Sequence, residues 1–182
     1  MKYFFTADLH FGHYNIIKYC NRPFKNLEHM NSELISRWNE RVKLGDVVFV
    51  NGDFCLTRSS EAPDTRLKGT DWEKKLNGKI IFTAGNHDKN NTTKTCIQGL
   101  VICLGGKRMF MVHNPKYVNT DFKINLVGHI HQNWKIKRVG VKSVAINVGV
   151  DVWDFYPVTI NEILSRYAKW LKIEKLKKKK KA

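Results

Sequence analysis

The stretch Asn125-Leu126-Val127-Gly128-His129-Ile130-His131 decides how the rest of the chain is read. Its apolar lead-in, Ile124 to Val127, has the character of a buried strand, and Gly128 ends it. Two histidines follow with one residue between them. Alternate residues of an extended segment point the same way, so His129 and His131 can present their imidazoles to one pocket. Gly128 permits a tight turn and a close backbone approach to whatever sits there. A His-x-His pair alone is also what an ordinary polar strand end looks like. The rest of the chain separates the two readings.

Working outward, the same arrangement recurs. Lys2 to Ala7 reads as a buried strand followed by Asp8-Leu9-His10-Phe11-Gly12-His13, and Val47 to Val50 as another, ended by Asn51-Gly52-Asp53. Lys79 to Thr83 is closed by Ala84-Gly85-Asn86-His87-Asp88. Leu100 to Leu104 and Met109 to His113 read as a strand pair joined at Gly105-Gly106, and Ser143 to Val148 as a further strand before Gly149. Asp8, His10, Asp53, Asn86, His87, His113, His129 and His131 therefore fall at or just past the C-terminal ends of predicted strands, where open α/β sheets place ligands. Six of the seven histidines lie in these turns and only His29 does not, a sorting that scattered surface histidines would not show. Carboxylate, imidazole and amide donors without thiolate suit Mn²⁺, Fe or Zn²⁺.

Helices are expected between the strands. Asn31 to Lys43 carries Leu34, Ile35, Trp38 and Val42 on one stripe, with Asn31 or Ser32 as cap. A polar loop from Arg58 leads to a short helix capped at about Asp71. Asn161 to Leu176 forms the last helix, opened by Thr159 and Glu162 at capping-box spacing.

Composition bounds the possibilities. At 182 residues, 42% of them hydrophobic, the chain is long and apolar enough for one globular domain, not a disordered segment. The net charge of +16 favours anionic partners. Eight lysines and one acid between Lys169 and Lys181 hold seven of those charges, leaving nine on residues 1–168. The domain is thus placed at residues 1–168, with 169–182 as a basic helix end and lysine-rich tail. Cysteines 20, 55, 96 and 103 have no C-x-x-C spacing and read as free thiols of a reducing compartment. Tyr3-Phe4-Phe5 meets Asp8 too soon for a signal peptide, and no run approaches the roughly 18 apolar residues of a membrane span. A cytoplasmic location without membrane contact is expected.

Asp8-x-His10, Gly52-Asp53, Gly85-Asn86-His87-Asp88, His113 and Gly128-His129-x-His131 resemble, in order, the five blocks of the calcineurin-like metallophosphoesterases. Asp8 to Phe24, with His13, Asn15, Arg22 and Pro23, further resembles small single-domain members from microbes and viruses. The resemblance implies a four-layered α/β/β/α sandwich of two mixed sheets flanked by helices. It implies two divalent metals about 3.5–4 Å apart, with Mn²⁺ first and Fe, Zn²⁺ or Ni²⁺ as alternatives. Asp8, His10, Asp53 and His131 would hold one, and Asp53, Asn86, His113 and His129 the other. A metal-activated water would attack phosphorus, and His87 would protonate the leaving oxygen.

Many relatives carry a further Asp or Asn three residues after the bridging Asp. Here Phe54, Cys55 and Leu56 follow instead. His13 is the candidate to steady His87, Arg22 is a candidate phosphate clamp and Asn86 a candidate substrate contact. Asn147 and Asp151 are weaker candidates. The implied activity is hydrolysis of a phosphodiester in a nucleotide or nucleic acid. The alternatives are a phosphomonoesterase, an idle scaffold or a nucleic-acid-binding protein. The lysine run should serve only anionic partners. Deleting residues from Lys177 is expected to leave turnover of a small ester unchanged and to flatten the dependence of log K on log[salt] for any bound nucleic acid. Kinetics and salt-titrated binding check both.

Overall fold

Tyr3–Thr6 (β1), Val47–Asn51 (β2) and Lys79–Thr83 (β3) run parallel. A short strand, Val158–Thr159 (β9), pairs antiparallel with β1 to complete a sheet of order β3-β2-β1-β9. Gly99–Leu104 (β4), Lys107–Val112 (β5), Ile124–Val127 (β6), Ile136–Arg138 (β7) and Val144–Asn147 (β8) form a second sheet of order β4-β5-β6-β8-β7. The pairs β5–β6 and β6–β8 are parallel, and β4–β5 and β7–β8 antiparallel, so both sheets are mixed. The computed structural model describes residues 1–56, 67–88 and 95–180. Most of the expected loop from Arg58, and the last lysine of the tail, lie outside the described residues.

The period-2 alternation of the strands sorts the core into two faces. Phe4, Val48 and Val50 face outward from the first sheet onto Ile16, Leu34, Trp38 and Trp72. These come from the helices Asn15–Tyr19 (α1), Leu27–Arg41 (α2) and Gly69–Glu73 (α3). Phe5 and Phe49 face inward and join Met109, Met111, Ile124, Leu126, Val144 and Ile146 of the second sheet. The last helix, Ile160–Lys179 (α4), adds Ile163 and Tyr167 to that inner cluster. The architecture is therefore α/β with two mixed sheets flanked by helices. The outer face of the second sheet holds Val112, Val127 and Ala145 beneath Phe110, Val118, Trp134 and Val139.

Several boundaries differ from the sequence reading. Helix α2 starts earlier because Asn26, not Asn31 or Ser32, caps it by accepting the His29 N–H at 2.8 Å. Asn31 is buried and accepts the Gly12 N–H instead. In α3 the Asp71 carboxylate reaches back to the Lys68 N–H from inside the first turn, so it is not the capping residue. The Thr159/Glu162 capping box forms as expected. Helix α4 runs three residues past the expected Leu176, to Lys179, and its Trp170 and Leu171 pack on the inner cluster. Its first turns meet Gly105 in the β4–β5 turn, at the opposite end of β5 from His113.

One buried side chain ties the sheets together. Asn51, at the end of β2, donates from Nδ2 to the carbonyls of Val112 and Leu126 in the second sheet, at 3.1 and 3.2 Å. Its Oδ1 accepts from Thr83 Oγ1 at 2.7 Å, and its own carbonyl meets His113 Nδ1. Each buried group left unsatisfied costs about 1–3 kcal/mol. Asn51→Ala, which strands several, is expected to lose about 3 kcal/mol or more in chemical denaturation. Thr159→Ala, which removes only a cap, should lose about 1 kcal/mol.

Candidate metal centre

The ends of β1, β2, β3, β5, β6 and β8 converge on one edge of the sandwich. Short backbone links close it: the Asp8 N–H donates to the Gly52 carbonyl, the Gly128 N–H to His113 and the Val150 N–H to Ala7, all at 2.9–3.1 Å. The residues carrying the chemistry are not extended. Asp8, His10, Asp53, His129 and His131 have φ of 58, 55, 53, 71 and 45°, in the left-handed region that side chains rarely adopt. They are five of the eight non-glycine residues there among those described. Such positions cost on the order of 1–3 kcal/mol each and persist only where surrounding contacts enforce them.

This geometry corrects the expectation drawn from strand alternation. The chain coils at these five residues, and His129 and His131 fall in different groups. Asp8, His10 and His131 bring one ligand atom each within 4.8 Å of one another, and so do Asp53, His113 and His129. The two groups meet at one oxygen: Asp53 Oδ2 lies 3.6 Å from His10 Nε2 and 3.2 Å from His113 Nε2. Asn86 Oδ1 joins the second group, 2.8 Å from His129 Nδ1 and 3.1 Å from His113 Nε2.

The protein aims these side chains through their other atoms. His113 Nδ1 donates to the Asn51 carbonyl at 2.7 Å, which leaves Nε2 as the free nitrogen facing Asp53. His131 Nδ1 lies 2.9 Å from Asp151 Oδ2, the carboxylate–histidine pairing typical behind a metal ligand. Asp53 Oδ1 accepts the His87 N–H, which fixes the bridging side of the carboxylate toward the histidines. Asp88 clamps two loops together, accepting from the N–H groups of Asp53, Phe54 and Gly85 at 2.8–3.1 Å.

A family model described as calcineurin-like phosphoesterase matches residues 1–179. The chain belongs to that family. The uncharacterized protein MJ1445 of Methanocaldococcus jannaschii is 35% identical over 170 residues, covering 90% of this chain and 89% of its own. The crystal structure of AQ665 from Aquifex aeolicus, a protein of unknown function, superposes with a TM-score of 0.69 at 22% identity, covering 90% of this chain and 98% of that one. The second comparison speaks for the fold alone.

The residues fit the divalent metals that this phosphoesterase family implies. His10 Nε2 is buried with no hydrogen-bond partner among the described residues, although an imidazole nitrogen without one is costly. Two glycines let backbone pack directly on the carboxylates. A Cβ at Gly85 would collide with Asp53, and one at Gly128 would sit 2.8 Å from Ala7 Cβ and 3.0 Å from Asp8 Oδ2. Gly128 thus approaches Asp8 itself.

The electrostatics follow from burying this many charges together. Burial pushes the Asp8 carboxyl up to about 6, against the pull of His113 and His131. Burial would raise Asp53 as well, but the hydrogen bond and charge of His113 and the charge of His10 hold it below the usual carboxylate range. His113 rises to about 9: burial opposes this, but Asp53 and Asp8 outweigh it. His131 rises to about 10 for the same kind of reason, with Asp151 the main partner. Burial drives His10 well below its ordinary value. Metal-ligating imidazoles must be unprotonated, so a cation bound here would compete with the protons that the neighbouring carboxylates favour on His113 and His131.

Arg22 corrects the expectation of a phosphate clamp. All five N–H groups are taken, by both Asp151 oxygens, the carbonyls of Asp8 and Leu9, and Met30 Sδ, and the side chain is fully buried. It braces Asp151, which in turn orients His131. His13 lies with Nδ1 3.3 Å from His10 Nδ1, its ring 5.8 Å from that of His87, and burial lowers it to about 4. His87 is exposed at the rim, its ring 5.2 Å from that of His10. Sequence reasoning gave Asn51 and Asp88 no role, and Asp151 only a weak one. Each lies within three residues of a glycine at a strand end, and that position is the available signal. Replacing a carboxylate behind a ligating histidine typically costs 10–100-fold in affinity. Asp151→Asn is expected to weaken Mn²⁺ binding by about that factor, as measured by calorimetry.

Proposed function

We propose that this chain hydrolyses phosphate esters with two divalent metal ions, and that its substrate is a phosphodiester of a nucleotide or nucleic acid. The observation that carries this reading is Asp53 Oδ2, placed between His10 Nε2 and His113 Nε2 where two ligand groups meet. Asp8, His10, Asp53 and His131 would hold one ion, and Asp53, Asn86, His113 and His129 the other. A nitrogen- and oxygen-donor set without thiolate suits Mn²⁺, Fe or Zn²⁺, and Mn²⁺ is the ion proposed. Bound ions supply Lewis-acid charge at the phosphoryl oxygens and lower the pKa of water to near neutrality.

The chain's own residues do the rest. Asp53 contributes the shared negative charge that lets two cations sit close together. Asn51 and Asp151 hold His113 and His131 in the tautomer that leaves Nε2 free. His87 stands at the rim as the proton donor to the leaving oxygen. Its backbone N–H on Asp53 Oδ1 ties the position of that acid to the bridging carboxylate. His13, its ring tilted against those of His10 and His87 at 5.2 and 5.8 Å, positions the acid.

A diester is favoured over a monoester by charge. Among the described residues, no Lys or Arg lines the cavities on either side of the ligand groups, and Arg22 has no N–H left to give. A monoanionic diester needs less compensating charge than a dianionic monoester. The test compares His87→Ala with His131→Ala on a diester with a poor leaving group and on bis(p-nitrophenyl) phosphate, with metal content measured in each. His87→Ala is expected to keep both metals and to lose about 10²–10⁴-fold on the poor leaving group, and much less on p-nitrophenolate. His131→Ala should lose metal and slow both substrates together. Equal losses for His87→Ala with metal retained would remove the proton-donor role, and no Mn²⁺-dependent hydrolysis of either diester by the unaltered protein would remove the proposed activity.

A further inference from the structure

A cavity of about 520 Å³ opens beside the second ligand group and shares Asn86 and His113 with it. Its floor is apolar, from Ala84, Gly85 and Val112. Asp88, Thr95, Gln98, Asn114 and Tyr117 form the rest of its wall among the described residues. Tyr117 ends the short 3₁₀ turn Pro115–Tyr117 that follows His113, and its side chain is 65% exposed. The Asn114 side-chain Oδ1 caps that turn by accepting the Lys116 N–H, and its Nδ2 donates to nothing among the described residues.

The charge of this wall is informative. The chain carries +16 overall, yet no lysine or arginine is among the described residues that line the cavity. Of those, His113 belongs to the ligand group and Asp88 turns its carboxylate to the backbone of Asp53, Phe54 and Gly85. A second phosphate or an acidic peptide would find no cation among them. A neutral group with an apolar face and a polar edge would find both complements. The volume is within the usual range for small-molecule sites, about 300–1,000 Å³, and is large for a single alkyl or phenyl arm. His87 lines a different cavity, together with His10, His13 and Cys20. The cavity at Tyr117 is therefore left for the part of an ester that receives no proton.

We propose that this cavity binds the nucleoside moiety of a phosphate ester, with the Tyr117 ring against the base and the Asn114 and Gln98 amides at the base edge. The proposal rests on the reading that the ester phosphate lies at the two ligand groups, and it specifies which substrates reach them. Because a ring offers its face to any base, the preference is for nucleosides over simple alkyl groups, with weak choice among bases.

Calorimetry with adenosine 5′-monophosphate and methyl phosphate on the Mn²⁺-loaded protein tests this, alongside adenosine alone on the metal-free protein. Stacking on one aromatic side chain accounts for roughly a ten- to hundredfold change in affinity. The nucleotide is expected to bind more tightly than methyl phosphate by at least that factor. Tyr117→Ala should remove most of the difference, and Tyr117→Phe should keep it. Free adenosine should bind the metal-free protein, more weakly in Tyr117→Ala. Equal affinities for the two phosphates, or a difference that Tyr117→Ala leaves intact, would overturn the proposal. If no ester is hydrolysed but the difference and its dependence on Tyr117 persist, the hydrolase reading falls and the nucleoside cavity stands.

Discussion

The site depends on one carboxylate being unable to turn. Asp53 sits in a left-handed backbone conformation, and its N–H and that of Phe54 are held by Asp88. One of its oxygens is spent on the His87 N–H, and the other faces His10 and His113. Any rotation would break a hydrogen bond in a dry environment, where an unmet donor is expensive. Two ligand groups can therefore share one oxygen without relying on an ion to gather them. The backbone strain at Asp8, His10, His129 and His131 is sustained similarly, by links such as the His129 N–H on the Asp8 carboxylate.

Positive charge is distributed by the same logic. Arg22, the side chain most suited to gripping an anion, is consumed in holding Asp151, and Asp151 is consumed in orienting His131. A buried guanidinium with a bidentate carboxylate partner is worth keeping only if something else uses the arrangement. What uses it here is the direction of an imidazole. The first turns of α4 pack at the other end of the second sheet from this edge.

Much of this was legible in the sequence. Apolar runs of four to six residues closed by Gly, Asp, Asn or His marked most strands and the turns that carry the candidate residues. The candidate ligand residues could be read at those ends, and the family resemblance implied how two metals would share them. The histidine pair misled in one respect: alternation assumes extended backbone, and nothing local announces that His129 and His131 each adopt positive φ. Arg22 before Pro23 looked like a loop residue because its partner Asp151 is 129 positions away. Asn51 was hidden in the same way, since its partners lie across a sheet interface that the local pattern does not describe. Strands β7 and β9 have three and two residues, too short for any periodicity to register.

The ligand edge draws on both sheets, and that has a consequence for the molecule as a whole. Asp8, His10 and Asp53 follow strands of the first sheet, and His113, His129 and His131 follow strands of the second. An ion held between them would act as a rivet across the sandwich. It would bind only when the two layers are docked, so every decade of free-ion concentration above its dissociation constant would add about 1.4 kcal/mol against separation of the layers. Resistance to heat and ion supply would become a single property of this fold, and the layer interface would be the first place to loosen where the ion is scarce.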